Sequence, residues 1–384
     1  MAWTTFQIIV ACVMLITGSL NTLIAKWTDM QVAKGRDDVA REFNHPFVQS
    51  CAMFLGEFLC LLVFGAAWLI GRRRTAGTEG DVPLVRLEGQ IQEPFTYKKM
   101  LVFLPPALCD MTATSIMYVG LTMTNASSFQ MLRGAVIVFT ALLSVAFLHR
   151  QIASSKWLGI LTVIIGLAIV GVSDMIFLPN DAKSNDKNRI ITGDLLIIMA
   201  QIVSAAQMVY EEKFLTKYDV PALVAVGLEG FFGFTVLAFL LIPMAYMPAG
   251  SFSVTPYHTI EDAIDAFAQM RNNYYIVLGL CGTILSIAFF NYAGISVTKE
   301  LNATTRMVID SMRTLIIWAA SLGLKWQPFN WMQIIGFGFL LIGMAVYNQI
   351  ITTDKIRHVQ RTVVTKIWRN NGDREVLVRE DEAS

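Results

Sequence analysis

The sequence predicts an all-α polytopic membrane protein with ten transmembrane helices arranged as two inverted five-helix repeats. Three observations predict it. Of 384 residues, 55% are hydrophobic and 15% charged, with a mean hydropathy of +0.54, outside the range of soluble globular chains. The apolar residues gather into ten runs of about 20, the length that spans a hydrocarbon core of about 30 Å. Two stretches of the chain also align with one another at an offset of 177 residues.

The runs fall at residues 5–25, 46–70, 100–122, 126–148, 157–178, 193–212, 221–246, 274–296, 302–324 and 330–350. No Lys or Arg precedes the first, and it exceeds the apolar core of about 7–15 residues in a signal peptide, so it is read as a permanent helix. Residues 26–45 form a charged loop, and Arg72, Arg73 and Arg74 close the second run. The third carries Pro105-Pro106, predicted to kink it and free carbonyls beside Asp110. The fourth opens on Ala126-Ser127-Ser128, the ninth on Ala303-Thr304-Thr305, and the fifth and tenth are rich in Gly. Residues 259–270 are read as a short helix on the membrane surface or a solvated loop, with Ile260, Ala263, Ile264 and Phe267 on one face.

Eighteen of the thirty Lys and Arg lie on the N-terminal side of the membrane, nine on the other and three inside runs, which places both termini in the cytoplasm. The chain then divides into a first repeat (1–178), a luminal linker (179–192), a second repeat (193–350) and a cytoplasmic tail (351–384). The 177-residue shift superposes Gly159, Ile165, Gly166 and Ala168 on Gly336, Ile342, Gly343 and Ala345. An odd number of helices per unit puts the copies in opposite orientations, with a cavity between them near mid-membrane.

Ionisable groups inside apolar runs cost about 2.5–3.5 kcal/mol each at a helix centre, so they should face protein or water. Glu57 and Glu229 occupy matching places in the two halves and read either as proton or substrate binders or as structural carboxyls locking helices. Asp110 sits on the predicted kink. Arg306, Asp310 and Arg313, at i, i+4 and i+7, share one helical face, as an ion-pair ladder or as an arginine site for an anionic solute. Arg133 aligns with Asp310 under the shift. Asn21 and Gln207, with Gln201 and Asn291, add uncharged polar groups to the substrate-site candidates.

A net charge of +1 without a long basic run excludes a nucleic-acid binder. Cys12, Cys51, Cys60, Cys109 and Cys281 are unpaired in spacing and the four His scattered, so no metal or cofactor is expected. No activated nucleophile and no phosphate-cradling loop points to an enzyme. The expected partners are a small-molecule solute, a coupling proton, membrane lipids and, as a homodimer, a second copy of the chain.

Residues 105–111 (PPALCDM), 127–135 (SSFQMLRGA), 193–201 (GDLLIIMAQ) and 294–301 (GISVTKEL) resemble the drug/metabolite transporter superfamily and, within it, the F subfamily of solute carrier family 35. The resemblance covers residues 1 to about 350. It implies the ten-helix inverted repeat, transport across an endomembrane and a lysosomal address. Tyr97-Lys-Lys-Met100 and Asp373-Arg-Glu-Val-Leu377-Val378 approximate sorting signals for that address. The leading expectation is a secondary active transporter of a small polar or anionic organic solute, working by alternating access. Two alternatives stand beside it: a nucleotide-sugar antiporter, and a non-transporting scaffold or signalling protein on the same fold.

Overall fold

The computed structural model describes residues 4–75, 100–148, 154–176, 184–218, 222–248, 259–300, 303–326 and 329–347. Each of the ten predicted runs carries a helix. The first forms α1 (Thr5–Asp29), which starts where it does because the Thr4 hydroxyl accepts from the Gln7 amide at 3.3 Å while the Gln7 side chain accepts from the Thr4 amide at 3.0 Å. Its 25 residues extend about 37 Å at 1.5 Å each, enough to cross a bilayer. Then follow α2 (Pro46–Thr75), α3 (Leu104–Met123), α4 (Ala126–Leu132), α5 (Val136–Leu148), α6 (Ser154–Ile176), α7 (Ser184–Tyr218) and α8 (Ala222–Met244). A short α9 (Ala263–Asn272) precedes α10 (Tyr274–Glu300), α11 (Ala303–Gly323) and α12 (Trp331–Tyr347).

Among the described residues, seven segments are long and apolar enough to span a membrane: α1, α2, α4 with α5, α6, α7, α8 and α10. The other three long helices depart from the expectation for separate reasons. The polar start of α11 confines its apolar part to Met312–Gly323, α12 has 17 residues, and polar side chains such as Asp110, Thr114 and Ser115 dilute α3. Ile8, Ile9, Phe147, Leu161, Phe239, Ile242 and Phe289 are all exposed on helix exteriors, a surface that water would not tolerate and lipid does. The chain is a multi-pass membrane protein.

Three local expectations are corrected, and one open choice is decided. Pro105 and Pro106 do not kink α3. They occupy its first turn, where the missing amides have no intrahelical partner to lose, so no free carbonyl flanks Asp110. The fourth run is interrupted instead, by a single 3-10 turn at Arg133–Ala135 between α4 and α5. Much of the expected 179–192 linker is helical, because α7 begins at Ser184. Residues 263–272 are a helix and not a solvated loop: the Asp262 carboxylate caps it, accepting from the amides of Ile264 and Asp265 at 3.0 Å each.

Four helix pairs dominate the packing: α6 with α12, α1 with α10, α2 with α8, and α3 with α7. Glycines set the closest of them. A Cβ on Gly159 would lie 2.8 Å from the Gly343 carbonyl oxygen, and one on Gly343 equally 2.8 Å from that of Gly159. Gly166 and Gly336 approach one another in the same way, at 2.8 and 3.1 Å, so α6 and α12 meet backbone to backbone.

One face of the bundle carries a cap that the sequence reading did not anticipate. Two three-residue strands, β1 (Val32–Lys34) and β2 (Ala40–Glu42), form an antiparallel hairpin turned through Asp38 at φ 58°, and α9 packs on β1. The α9 helix turns Asp265, Ala266 and Gln269 inward and leaves Ile264 and Phe267 outward. Buried between hairpin and helix, His45 holds Glu261 Oε1 at 2.5 Å through Nδ1 and Asp265 Oδ2 at 3.4 Å through Nε2. Arg41 reaches the other Asp265 oxygen at 2.6 Å, and Arg36 donates its amide to it at 2.7 Å. Burial alone would lower the His45 pKa, but the Glu261 charge and the bonds to both carboxylates outweigh it and raise the value to about 9. Burial would likewise raise Asp265, yet bonds from His45, Arg41 and the Arg36 amide hold its carboxyl well below the ordinary range.

Candidate functional site: a charged cavity between the helices

A cavity of about 270 Å³ lies inside the bundle, walled by α1, α2, α3, α4, the 3-10 turn, α7, α8, α10 and α11. Seven of the nine residues proposed from sequence line it: Asn21, Glu57, Asp110, Arg133, Gln207, Glu229 and Arg313. Asp310 does not. Its side chain is 42% exposed, and it touches the site only through Arg313, whose Nη1 lies 3.0 Å from Asp310 Oδ1. The Arg306 side chain lies outside the described residues.

Arg313 is fixed by three helices. Its Cζ stands 4.6 Å over the Phe290 ring of α10, Asp310 of α11 takes one edge, and α1 makes room for it at Gly18. A Cβ at Gly18 would come within 2.6 Å of Arg313 Cδ and 2.8 Å of the Phe290 ring. This glycine accommodates a guanidinium where those of α6 and α12 accommodate backbone.

Asp110, one turn below Thr114 on α3, accepts from the Thr114 hydroxyl at 3.1 Å and from the Gln207 side chain of α7, with the Arg133 charge nearby. Arg133 in turn lies over Phe129, 5.8 Å from its centroid. Glu57 accepts a long 3.5 Å contact from Asn291 of α10. Glu57 and Glu229 stand where α2 and α8 touch, since a Cβ on Gly230 would lie 2.6 Å from Glu57 Cβ. Asn21 is a clamp more than a free contact: its amide donates to the Thr283 carbonyl at 3.2 Å and to the Ser286 hydroxyl at 3.1 Å, tying α1 to α10. Gln201 lies behind the wall, bonded to the Ile197 carbonyl and to Met117 sulfur.

Sequence reasoning missed the rest of the lining, including Thr22, Met53, Met117, Tyr118, Phe129, Ser204 and Phe290. Methionine and phenylalanine inside an apolar run carry no signal that separates a cavity wall from a lipid face. Tyr118 could have been found: a phenol in mid-run needs a polar environment for its hydroxyl.

Two comparisons bear on this site. Residues 4–244 match the nucleotide-sugar transporter family. The human protein called solute carrier family 35 member F6 is 56% identical over 349 residues, which is 91% of this chain and 90% of the human one, and its mouse counterpart is 55% identical over the same shares. The chain belongs to the F subfamily of solute carrier family 35. This solute carrier is also 27% identical, over 52% of its length and 53% of the other's, to a fission-yeast (Schizosaccharomyces pombe) UDP-galactose transporter. As a member of a family of transporters it is not an enzyme, and its cavity is to be read for binding and passage.

Proposed function

We propose that this solute carrier is a secondary transporter that moves a small polar organic solute across an endomembrane by alternating access between two inverted five-helix repeats. The observation that carries the reading is the cavity itself, walled by charged side chains from both halves of the chain: Glu57, Asp110 and Arg133 from one, Glu229 and Arg313 from the other.

The packing supports the inverted repeat. Pairing each helix with the one five runs later turns α1–α10 into α7–α3, α2–α10 into α8–α3 and α1–α11 into α7–α5, and all six contacts occur. The α6–α12 glycines obey the same relation. Gly159 corresponds to Gly336 and Gly166 to Gly343, so the contact Gly159–Gly343 maps onto Gly336–Gly166, as a two-fold axis between the two helices requires.

The cavity's two ends differ. Toward the hairpin it is closed by tightly buried groups, Ala25, Leu121 and, beyond them, Ser127 and Ser128, with Lys26 Nζ bonded to the carbonyls of Leu121 and Thr124 at 2.7 and 2.8 Å. Toward the chain ends, Asp110, Arg133 and Gln207 are half-buried and Met208 is 48% exposed. With the termini cytoplasmic, as the distribution of Lys and Arg favours, this is an inward-facing arrangement sealed from the lumen. Glu57 and Glu229 are the groups we assign to proton coupling, and the lysosomal address and homodimer stay with the proposal. Both sorting motifs fall mostly or wholly outside the described residues. The names of the family and of the yeast relative favour a nucleotide sugar as the second reading. A scaffold has no use for a buried charged cavity.

Uptake into proteoliposomes tests the reading. A carrier gives saturable uptake of at least one polar solute, reduced tenfold or more by Arg313→Ala or Glu229→Gln while the thermal unfolding transition is retained. Variants that only lower the unfolding temperature, with no uptake by the parent protein of any solute class, would return these charges to a structural role.

A further inference from the structure

At the hairpin end of the bundle, outside the cavity, α6 and α7 bury two carboxylates side by side. Asp174 stands in the last turn of α6 and Asp194 on α7, close enough for the charge of one to act on the other. Both are more than nine-tenths buried. Asp194 accepts from the Thr124 hydroxyl at 2.7 Å, and Asp174 accepts through Oδ1 from the Gln333 amide of α12 at 2.9 Å and from the Ser128 hydroxyl of α4. Among the described residues these neutral groups are their partners, and no Lys or Arg is among them. Of the elements packed on α6 and α7, α4, α5 and α12 carry no Lys, Arg, Asp or Glu, α3 carries only Asp110 and the 3-10 turn only Arg133, both committed to the cavity. The described cations of this end are engaged elsewhere: Lys26 of α1 on the Leu121 and Thr124 carbonyls with Asp29 nearby, and the exposed Arg189 of α7 on the Thr122 carbonyl at 3.2 Å.

Two oxygens in this cluster have no donor. Asp174 Oδ2 and Gln333 Oε1 are both buried and unpartnered, on side chains already bonded to one another through their other atoms, so that Gln333 points into the carboxyl. An ionised Asp174 would leave an anionic oxygen and an amide oxygen facing no donor, beside a second buried carboxylate, an arrangement that a low-dielectric interior penalises heavily. Both oxygens are closed to solvent, so a bridging water has no room to donate to them. A proton needs no room. On Oδ2 it makes that oxygen a donor, for which Gln333 Oε1 is an acceptor on the adjoining side chain, and it removes one of the two charges. We propose that Asp174, paired with Asp194, binds a proton in this conformation, and that the bound proton is part of the luminal seal.

The link to the seal runs through Thr124. Its hydroxyl is bound to Asp194 and its carbonyl to Lys26 Nζ of α1 at 2.8 Å, so the residue that α1 closes on is also the one that holds the second carboxylate. Ser128 ties α4 to the same cluster, accepting from Gln333 at 3.1 Å. Release of the proton sets two anions side by side between α6 and α7 and loosens the turn from α3 into α4. The site is separate from Glu57 and Glu229, which line the cavity. Proton binding itself stands without the carrier reading; its place in a luminal seal rests on that reading.

The test compares the full-length protein in detergent with Asp174→Asn, whose amide is the same size and offers a donor where the proton sits. An unfolded chain ionises aspartate above about pH 4, so the unfolding constant of the parent should rise against that of the variant, by up to tenfold per pH unit, from pH 5 until the folded site releases its proton. In an Asp194→Asn background the same rise should end at a lower pH, because the repelling charge is gone. The infrared difference between parent and Asp174→Asn at pH 6 should contain the carbonyl stretch of a protonated carboxylic acid. Hydrogen exchange at residues 121–128 should match in the two proteins at pH 6 and run faster in the parent above the pH of release. A constant ratio of unfolding constants, a carboxylate stretch in place of the acid band, or an Asp174→Asn protein that does not fold overturns the proposal, because each means that the site requires the charge. Stabilisation of the parent by sodium chloride over choline chloride, abolished by Asp174→Asn, puts a metal cation in the proton's place and overturns it equally. Matched exchange above the pH of release removes the proton from the seal. None of these readings uses transport, so a protein that takes up no solute would sink the carrier reading and leave the proton site standing.

Discussion

His45 offers a test of the cap that depends on no ligand. Its imidazole is 2% exposed and lies between Glu261 and Asp265, with a pKa raised from an ordinary 6.5 to about 9. A shift of that size, at 1.36 kcal/mol per unit, is worth about 3 kcal/mol of stability. The sign follows from the direction. A group whose folded pKa is raised contributes fully below its unfolded value, near 6.5, and loses the contribution as pH climbs through about 9. Asp265 is displaced the other way, so its part is present above about 4 and lost as pH falls through its lower folded value. The cap is therefore most stable between about pH 4 and 6.5. His45→Gln removes the proton-linked part and takes the imidazolium from between two buried carboxylates, so its deficit against the parent protein should be largest near pH 6 and shrink toward pH 9.5. Apparent unfolding temperatures in detergent, taken for both proteins from pH 5 to 9.5, give the difference free of other titrating groups. Parallel curves across that range would refute the argument, since they would mean that His45 carries no proton in the folded cap that it lacks in the unfolded chain.

Gly166→Leu should destabilise the fold by about 1–3 kcal/mol or more, read as a lower unfolding temperature, because its Cβ would stand 2.8 Å from a backbone oxygen of α12 and 2.9 Å from a backbone nitrogen, neither of which can move aside. Gly171→Leu on the same helix meets nothing within 4 Å and should stay within about 0.5 kcal/mol by the same measurement. Pro105→Ala is expected to be equally mild, since first-turn prolines give up no helical hydrogen bond; a large loss would restore a kink in α3. Asp310→Asn removes one carboxylate from beside Arg313 and should raise the affinity for the anion UMP, read by thermal stabilisation.

The helices were legible because lipid imposes a simple rule: every long apolar run must satisfy its own backbone, and a helix does so. The rule is weakest where polar groups enter, and α3 and α11 depart from it there. Pro105 and Pro106 were misjudged for a different reason. Their effect depends on whether they fall in the first turn or the interior, and a sequence fixes helix ends only to about two to four residues. The hairpin was hidden altogether, because three-residue strands have no room for an alternating pattern. His45 was passed over as one of four scattered histidines, since the carboxylates that give it meaning lie 216 and 220 positions away. Within the site, the charges were found and the aromatic and methionine walls were not. A buried charge is conspicuous in an apolar run, whereas a cavity-facing Phe290 and a lipid-facing Phe289 read alike.

The arginine ladder of α11 shows what periodicity leaves open. Three residues at i, i+4 and i+7 do share a face, but a shared face does not fix depth. Asp310 is 42% exposed while Arg313 is 3% exposed, and the difference is made by neighbouring helices. Gly18 of α1 provides the space into which the Arg313 stem folds, and Phe290 of α10 provides the ring beneath its head. The guanidinium thus reports on three helices at once, one from the first half of the chain and two from the second. A movement that separates α1 from α10 and α11 cannot leave Arg313 both on its ring and against its glycine. Under the proposed alternating access, such a movement would couple solute binding to the exchange of faces through this one side chain, because a group that helps set the charge of the cavity is held by helices from both halves of the chain.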